Sequence, residues 1–214
     1  MPVTLKLATS LDGRIATAAG ESRWITGEAA REEGHRLRAA HDAVLVGVET
    51  ALADDPELTV RLPGYNGPQP ARVVLDSRQR LRPDCKLAVT AREIPTYVVA
   101  TTEPDPALVD AGVRVLRVRA VGEDRPELKT VVETLAREGL ERLLVEGGGQ
   151  VAASFLRCEL VDAIEWFRAP VLIGGEGRPG VGALAIAALA QAPHFRRVEV
   201  REVGPDLWER YARG

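Results

Sequence analysis

Three observations predict an α/β fold with a mostly parallel central sheet flanked by helices and finished by antiparallel strands. Short apolar runs alternate with helix-patterned segments along most of the chain, the signature of βα units. One such run, Leu143-Leu144-Val145, passes through Glu146 into Gly147-Gly148-Gly149 and then a helical pattern, the place where open α/β sheets bind ligands. Beyond residue 163 the pattern turns to longer strand-like stretches joined by Gly204-Pro205-Asp206, which is antiparallel chemistry. A chain of 214 residues is long enough for a substantial core, and one domain over residues 1–214 is expected.

In order, residues 3–9 read as a strand followed by a polar turn at Asp12-Gly13. Thr26 is the expected cap of a helix over residues 28–40, with Glu28 and Glu32 near its positive end. Residues 43–46, 73–75 and 97–100 are short apolar runs, expected as buried strands. Residues 65–70 form a Gly/Pro-rich loop rather than a domain linker. The clearest helix covers 126–138, where Leu128, Val131, Val132 and Leu135 follow i, i+3, i+4, i+7. Pro126 suits its first turn and Gly139 its end. Residues 143–145 are a central strand, and 151–156 lie in a helix that begins at about Gln150. Residues 163–173, 197–203 and 207–211 are the closing strands, the last two paired through the Gly204 turn.

Composition removes several classes of function. Net charge is −3 with both signs interspersed, and aromatics are 4%, so neither the basic footprint nor the stacking platforms of a nucleic-acid binder are present. The longest apolar stretch, residues 181–190, is too short to cross a bilayer, and no signal peptide opens the chain; no membrane partner and a cytoplasmic location are expected. Cys85 and Cys158 lie far apart without a CxxC, and His35, His41 and His194 have no ligand spacing, so two reduced thiols, ordinary structural or surface histidines and no metal are expected. P-loop, GxSxG, HExxH and zinc-deaminase patterns are all missing from the sequence.

The candidate site residues follow from strand ends. Glu146 would be a carboxylate on a buried strand, which is unfavourable without a role or a partner. The glycines after it let backbone approach a ligand closely, and the helix N-terminus behind them offers unpaired N–H groups to phosphate. Asp76-Ser77-Arg78 follows the 73–75 run; a hydroxyl and a guanidinium there suit the 2′-phosphate of NADP, though Arg78 and Arg80 also fit a solvated turn. Arg38 and Arg61 are candidate clamps for an anionic substrate. Lys6 shares a strand face with Thr4 and Ala8 and is either an edge residue or a buried functional ammonium. Gly175-Glu176-Gly177-Arg178-Pro179-Gly180 formally matches GxGxxG, but it follows the parallel units, and a flexible connection is the preferred reading.

Several longer motifs carry a resemblance. Thr4-Leu5-Lys6-Leu7-Ala8, Ser10-Leu11-Asp12-Gly13-Arg14-Ile15-Ala16, Gly20-Glu21-Ser22-Arg23-Trp24-Ile25-Thr26 and Val46-Gly47-Val48-Glu49-Thr50 stand in the first half. Ala53-Asp54-Asp55-Pro56-Glu57-Leu58-Thr59-Val60-Arg61 follows, with residues 145–149, Ala169-Pro170-Val171-Leu172-Ile173-Gly174-Gly175 and Val203-Gly204-Pro205-Asp206 later. Together they resemble the reductase half of the bacterial riboflavin-biosynthesis deaminase–reductase, a member of the dihydrofolate-reductase-like fold.

The resemblance implies NADPH-dependent reduction of 5-amino-6-(5-phosphoribosylamino)uracil to its ribitylamino product. By position it assigns Ser22, Arg38, Leu58, Arg61 and Glu146 to the substrate. Ala8, Trp24, Thr50, Asp54, Ser77 and the run Gly148, Gly149, Gln150, Val151, Ala152, Ala153 and Ser154 would meet the cofactor, with Arg78 beside Ser77. Lys6, Asp54 and Glu146 are the candidates for proton handling. A homodimer is also implied, with the C-terminal strands as a candidate interface. The family's enzyme usually carries a zinc deaminase ahead of this region, whereas this chain starts at the first reductase strand; a stand-alone reductase served by a separate deaminase, or a paralogue with another pyrimidine or pterin-like substrate, is expected. Rival readings are a reductase of dihydrofolate or of the 2,5-diamino pyrimidinone precursor, and a non-catalytic nucleotide-binding protein.

Overall fold

The computed structural model describes residues 1–122 and 124–214. Two compact units make up the chain: Met1 with His35–Gly147, and Pro2–Gly34 with Gly148–Gly214.

In the His35–Gly147 unit, the apolar runs become five parallel strands in the order Leu143–Val145, Ala43–Gly47, Ala71–Leu75, Thr96–Ala100 and Arg114–Arg117. Ala43–Gly47, Thr96–Ala100 and Leu143–Val145 are buried at every position, which explains why the sequence shows continuous apolar runs there rather than alternation. Two strands are longer than the apolar runs 73–75 and 97–100, because Arg72 and Thr96 are also buried. Arg72 is 1% exposed and hydrogen-bonds only to neutral oxygens among the described residues: Thr90 Oγ1 at 2.7 Å, Thr96 Oγ1 at 2.6 Å, and the carbonyls of Ile94 and Leu87 at 2.9 and 3.2 Å. Burial pushes its pKa down to about 10.

The clearest helix begins at Leu128 and ends at Arg137, two residues later than expected. Arg125–Pro126 pairs instead with Ala120–Val121, so Pro126 is not in the first turn. Leu128, Val131 and Leu135 are buried and Gly139 takes φ +83 just past the end, as anticipated. Short helices at Val48–Asp54, Lys86–Val89 and Pro106–Ala111 carry too few turns to show a period. Only Pro106–Ala111 has boundary signals: Asp105 accepts the Ala107 N–H, Pro106 opens the helix and Gly112 ends it at φ +99.

In the other unit the strand order is Phe195–Val203, Asp206–Arg213, Ala163–Arg168, Val3–Thr9, the last pair parallel and the rest antiparallel. The strand expected over 163–173 stops at Arg168, and the Ala169 N–H makes a last bond to Thr9 O before Pro170. Proline has no N–H to continue the ladder. The 207–211 strand grows to Asp206–Arg213, and Gly204 at φ +62 turns the chain between Val203 and its partner Asp206. Phe167 stacks on Trp208 at 5.5 Å, and the buried Glu165 accepts from Trp208 Nε1 at 2.7 Å and Arg210 Nε at 3.1 Å. Gly27, not Thr26, immediately precedes the helix Glu28–Ala39; the Gly27 N–H is held by Asp206 Oδ2 at 2.7 Å, and Thr26 gives its carbonyl to Arg31. The segment read as a flexible connection is packed: Arg178–Pro179 pairs with Arg14–Ala16, and a Cβ at Gly177 or Gly180 would lie 2.7 Å from Ile173 or 2.9 Å from Thr9.

The mixed α/β class with mostly parallel strands and an antiparallel C-terminal end therefore holds. No described helix is long and apolar enough to cross a membrane.

Two predictions come from buried or locked polar groups. Replacing Arg72 by methionine removes the donor that four oxygens share, and urea unfolding will register a loss of about 3 kcal/mol; a loss under about 1 kcal/mol would mean the guanidinium is dispensable. Asp12 accepts from Ser10 Oγ at 2.6 Å and from the Gly174 and Ile173 N–H groups. The Ser10 hydroxyl, helped by Gly174, holds its pKa down to about 2 from 3.8. A depressed acid contributes stability that is complete above 3.8 and lost as pH falls through 2. Carboxyl NMR titration will find the Asp12 midpoint near 2, and Asp12→Asn will remove that part of the acid limb.

Candidate functional site

Within the His35–Gly147 unit, the site is built on the end of the central strand. The Glu146 N–H still bonds to Leu45 O at 2.9 Å, so the ladder holds the main chain while the side chain, 7% exposed, turns to Arg38. Arg38, from the last turn of Glu28–Ala39, donates Nε to Glu146 Oε1 at 2.6 Å and Nη2 to Oε2 at 2.8 Å. Its Nη1 donates to Thr59 O at 2.9 Å. Burial works against the Arg38 charge, but the Glu146 carboxylate outweighs it and raises the arginine's pKa. The arginine read as a substrate clamp thus has its anion inside the protein, and the strand-end carboxylate has its partner.

The chain around Thr59 is shaped by several contacts. Leu58 is 3% exposed at φ +56, an uncommon conformation for a bulky residue. Val60 is held at both main-chain atoms by the Gln69 amide, at 2.7 and 3.2 Å. The exposed Arg61 side chain meets Glu57 at 3.1 Å, a contact worth little in solvent. His35, read from sequence as structural or surface, is half-buried with Nδ1 3.1 Å from Thr59 O and 3.2 Å from the Arg61 N–H. Burial first, then Arg38 and Arg61, lower its pKa from 6.5. His35 and Gln69 are site residues the sequence reading missed. The His35–Arg38 spacing of i, i+3 on one helix face was the available signal.

Four cofactor candidates lie elsewhere in this unit. Thr50 is in Val48–Asp54, and the exposed Asp54 is its last residue. Ser77 follows Asp76, which is 1% exposed and accepts the Leu81 N–H at 2.8 Å; the Ser77 carbonyl takes the Thr101 N–H. Arg78 is exposed and 4.0 Å from Asp124, compatible with a solvated turn.

The other unit holds the remaining candidates. Lys6 and Ala8 are half-buried on one face of Val3–Thr9, with Lys6 Nζ 6.0 Å from the Phe167 ring and its Cε 3.8 Å from where a Gly34 Cβ would stand. Lys6 is therefore packed in the structure rather than free in solvent. Ser22 is half-buried, while Trp24 is 70% exposed with the Arg31 guanidinium 4.4 Å over its ring. Trp24 through Thr26, Arg31, Pro170 and Asp206 line part of a cavity of about 450 Å³.

Gly148 is the N-cap of the helix Gly149–Arg157 at φ +72. A Cβ on Gly149 would sit 2.3 Å from Pro179 O, so no other residue fits. Gly148 and Gly149 are half-buried at the start of a nine-residue helix, and a helix N-terminus is the kind of backbone that takes the phosphates of a dinucleotide. Along that helix Gln150, Val151, Ala152 and Ala153 supply the first turns, the two alanines buried. Ser154 spends its hydroxyl on Gln150 O at 2.8 Å. Among the described residues there is no cluster of three or more metal-ligating side chains; Cys85 is buried and Cys158 exposed.

The strand order and the glycine turn define a mixed α/β domain of the dihydrofolate-reductase-like class. The chain belongs to the RibD C-terminal domain family, whose model matches residues 2–208. Riboflavin biosynthesis protein RibD of Bacillus amyloliquefaciens is 35% identical over 96% of this chain, which spans 55% of that relative; the chain thus covers little more than half of several curated relatives. The 2,5-diamino-6-ribosylamino-4(3H)-pyrimidinone 5′-phosphate reductase of Methanothermobacter thermautotrophicus is 37% identical over 98% of this chain and 96% of its own length. Among solved structures, Acinetobacter baumannii RibD superposes with a TM-score of 0.89 at 34% identity, over all of this chain and 58% of that one. The resemblance read from the motifs is thereby borne out.

Removing one partner of the buried pair has a defined consequence. Arg38→Met removes the guanidinium that makes two bonds to the buried Glu146 carboxylate, and unfolding free energy will fall by about 3–5 kcal/mol. The Arg38→Met/Glu146→Leu double variant will recover much of that in a double-mutant cycle. Additive losses would show that the two side chains do not depend on one another.

Proposed function

We propose that this chain is an NADPH-dependent oxidoreductase that reduces 5-amino-6-(5-phosphoribosylamino)uracil to 5-amino-6-(5-phosphoribitylamino)uracil in riboflavin biosynthesis. The observation that carries the reading is the Glu146–Arg38 pair at a strand end that runs directly into the Gly147-Gly148-Gly149 turn. Support comes from relatives whose names describe riboflavin biosynthesis and pyrimidinone phosphate reduction.

NADPH, when bound, supplies the hydride that the opened sugar accepts at C1′. The protein's part is alignment, charge and proton handling. Gly148 and Gly149 bring main chain close to the cofactor phosphates, and Ala8, Trp24, Thr50, Asp54, Ser77, Arg78 and residues 150–154 complete the assigned cofactor set. Ser22, Leu58 and Arg61 bind the sugar phosphate end and the pyrimidine. Arg38 acts on the substrate chiefly through Glu146, whose oxygens it orients. Lys6 Nζ is assigned the proton donated to the leaving ring oxygen, and the Asp54 and Glu146 carboxylates orient donors of substrate and cofactor. The assembly is read as a cytoplasmic homodimer.

A second reading has a specific observation behind it. The archaeal relative, matched over nearly its entire length, is named for the 2,5-diamino pyrimidinone phosphate, so that precursor is the rival substrate. Parallel assays of NADPH oxidation with the two phosphoribosylamino pyrimidines and with dihydrofolate separate these readings. Turnover at least ten-fold faster on the uracil substrate supports the first; preference for the diamino compound replaces it with the second. Cofactor binding with no turnover on any of the three marks a non-catalytic nucleotide-binding protein. In single-turnover hydride transfer, Lys6→Met, Asp54→Asn and Glu146→Gln are each expected to slow the step by at least about ten-fold, below the roughly 100-fold or more that a full general acid or base contributes. Wild-type rates in all three would end the residue assignment.

A further inference from the structure

We infer that His35 is a positioning residue for Arg61: its Nδ1 accepts the Arg61 main-chain N–H and so fixes the arginine assigned above to the sugar phosphate. The inference rests on that assignment for its functional meaning, but its geometry stands within the His35–Gly147 unit alone.

Residues 59–61 run between two clamps. On one side the Gln69 side-chain amide takes both main-chain groups of Val60, at 2.7 and 3.2 Å. On the other, Arg38 Nη1 donates to Thr59 O at 2.9 Å, and His35 Nδ1 lies 3.2 Å from the Arg61 nitrogen. The same Nδ1 is 3.1 Å from Thr59 O, so it faces one donor and one acceptor and can serve only one of them. Thr59 O already receives Arg38. The Arg61 N–H has no other acceptor among the described residues. Nδ1 is therefore the lone-pair nitrogen, with the proton on Nε2.

The charges around the ring favour this neutral form. Burial acts first, and Arg38 on the same helix and Arg61 on the facing segment add to it; the Thr59 carbonyl and Glu146 at the strand end pull the other way and lose. A proton on Nδ1 would confront the Arg61 N–H with a second N–H and turn the ring toward Thr59 O. For a base with a lowered folded-state pKa, the arrangement is complete above 6.5 and fails as pH drops through the lower folded value. The 59–61 clamp thus opens on acidification, from its Arg61 end, while Gln69 keeps Val60 in register.

Three variants and two readouts test this. In wild type, KM for the phosphoribosylamino pyrimidine will rise below the His35 transition with little change in kcat. His35→Leu will hold KM at about five times the neutral-pH wild-type value at every pH, the worth of one hydrogen bond, and leave NADPH affinity unchanged. His35→Asn, which keeps an acceptor near the Nδ1 position, will restore KM and flatten its pH profile; His35→Gln, whose acceptor reaches past that position, will not. Imidazole nitrogen NMR on the full chain reads the tautomer without turnover: Nε2–H is expected, and the Arg61 amide resonance should move with the His35 titration. An Nδ1–H tautomer, or an Arg61 amide indifferent to that titration, overturns the inference. An enzyme inactive on every pyrimidine overturns the assigned function instead, and the NMR readout still decides the role of His35.

Discussion

The ion pair between Glu146 and Arg38 is the constraint to which the carboxyl end of the parallel strands is fitted. A carboxylate that is 7% exposed gives up several kcal/mol of hydration, which attraction repays only when the geometry is close and the remaining lone pairs are used. Arg38 meets both demands with a two-bond fork, and its third donor holds Thr59 O. A lysine has no planar fork and could not occupy the carboxylate and the loop carbonyl together. The charge that makes Glu146 tolerable is thereby also what ties the 57–61 segment to the strand end.

Other buried charges in the chain are accommodated by different means. Arg72 is surrounded by four neutral oxygens from the 87–96 stretch, so it braces a region that has only one short helix of its own. Glu165 shares its oxygens between an indole N–H and Arg210, which joins neighbouring antiparallel strands. Arg72 reaches from a strand whose other residues are apolar to the irregular chain beside it, whereas Glu165 ties one strand to the next.

Much of this was legible in the residues themselves. Apolar runs such as Ala43–Gly47 and Leu143–Val145 announce buried strands because burial on both faces leaves no polar position. The alternation of Val3–Thr9 and the Leu128, Val131, Leu135 stripe likewise carry their periods. Short helices such as Val48–Asp54 and Lys86–Val89 stayed hidden, since one or two turns cannot display a 3.6-residue repeat. Pro126 misled for a related reason: a proline suits a helix start and an edge strand equally, and the partner that chose the strand, Ala120–Val121, is a tertiary fact. The segment 175–180 looked loose in sequence, yet a Cβ at Gly177 would lie 2.7 Å from Ile173 and one at Gly180 2.9 Å from Thr9.

By itself the sequence determined the fold class, the strand that presents Glu146 and the glycine turn after it, because hydrophobic period and backbone freedom are local properties of residue types. Tertiary structure alone decided that Arg38 would spend its guanidinium on Glu146, that His35 and Gln69 would clamp residues 59–61, and that Gly149 would lie under Pro179. Those are distances between positions far apart in the chain, and no local pattern encodes a distance.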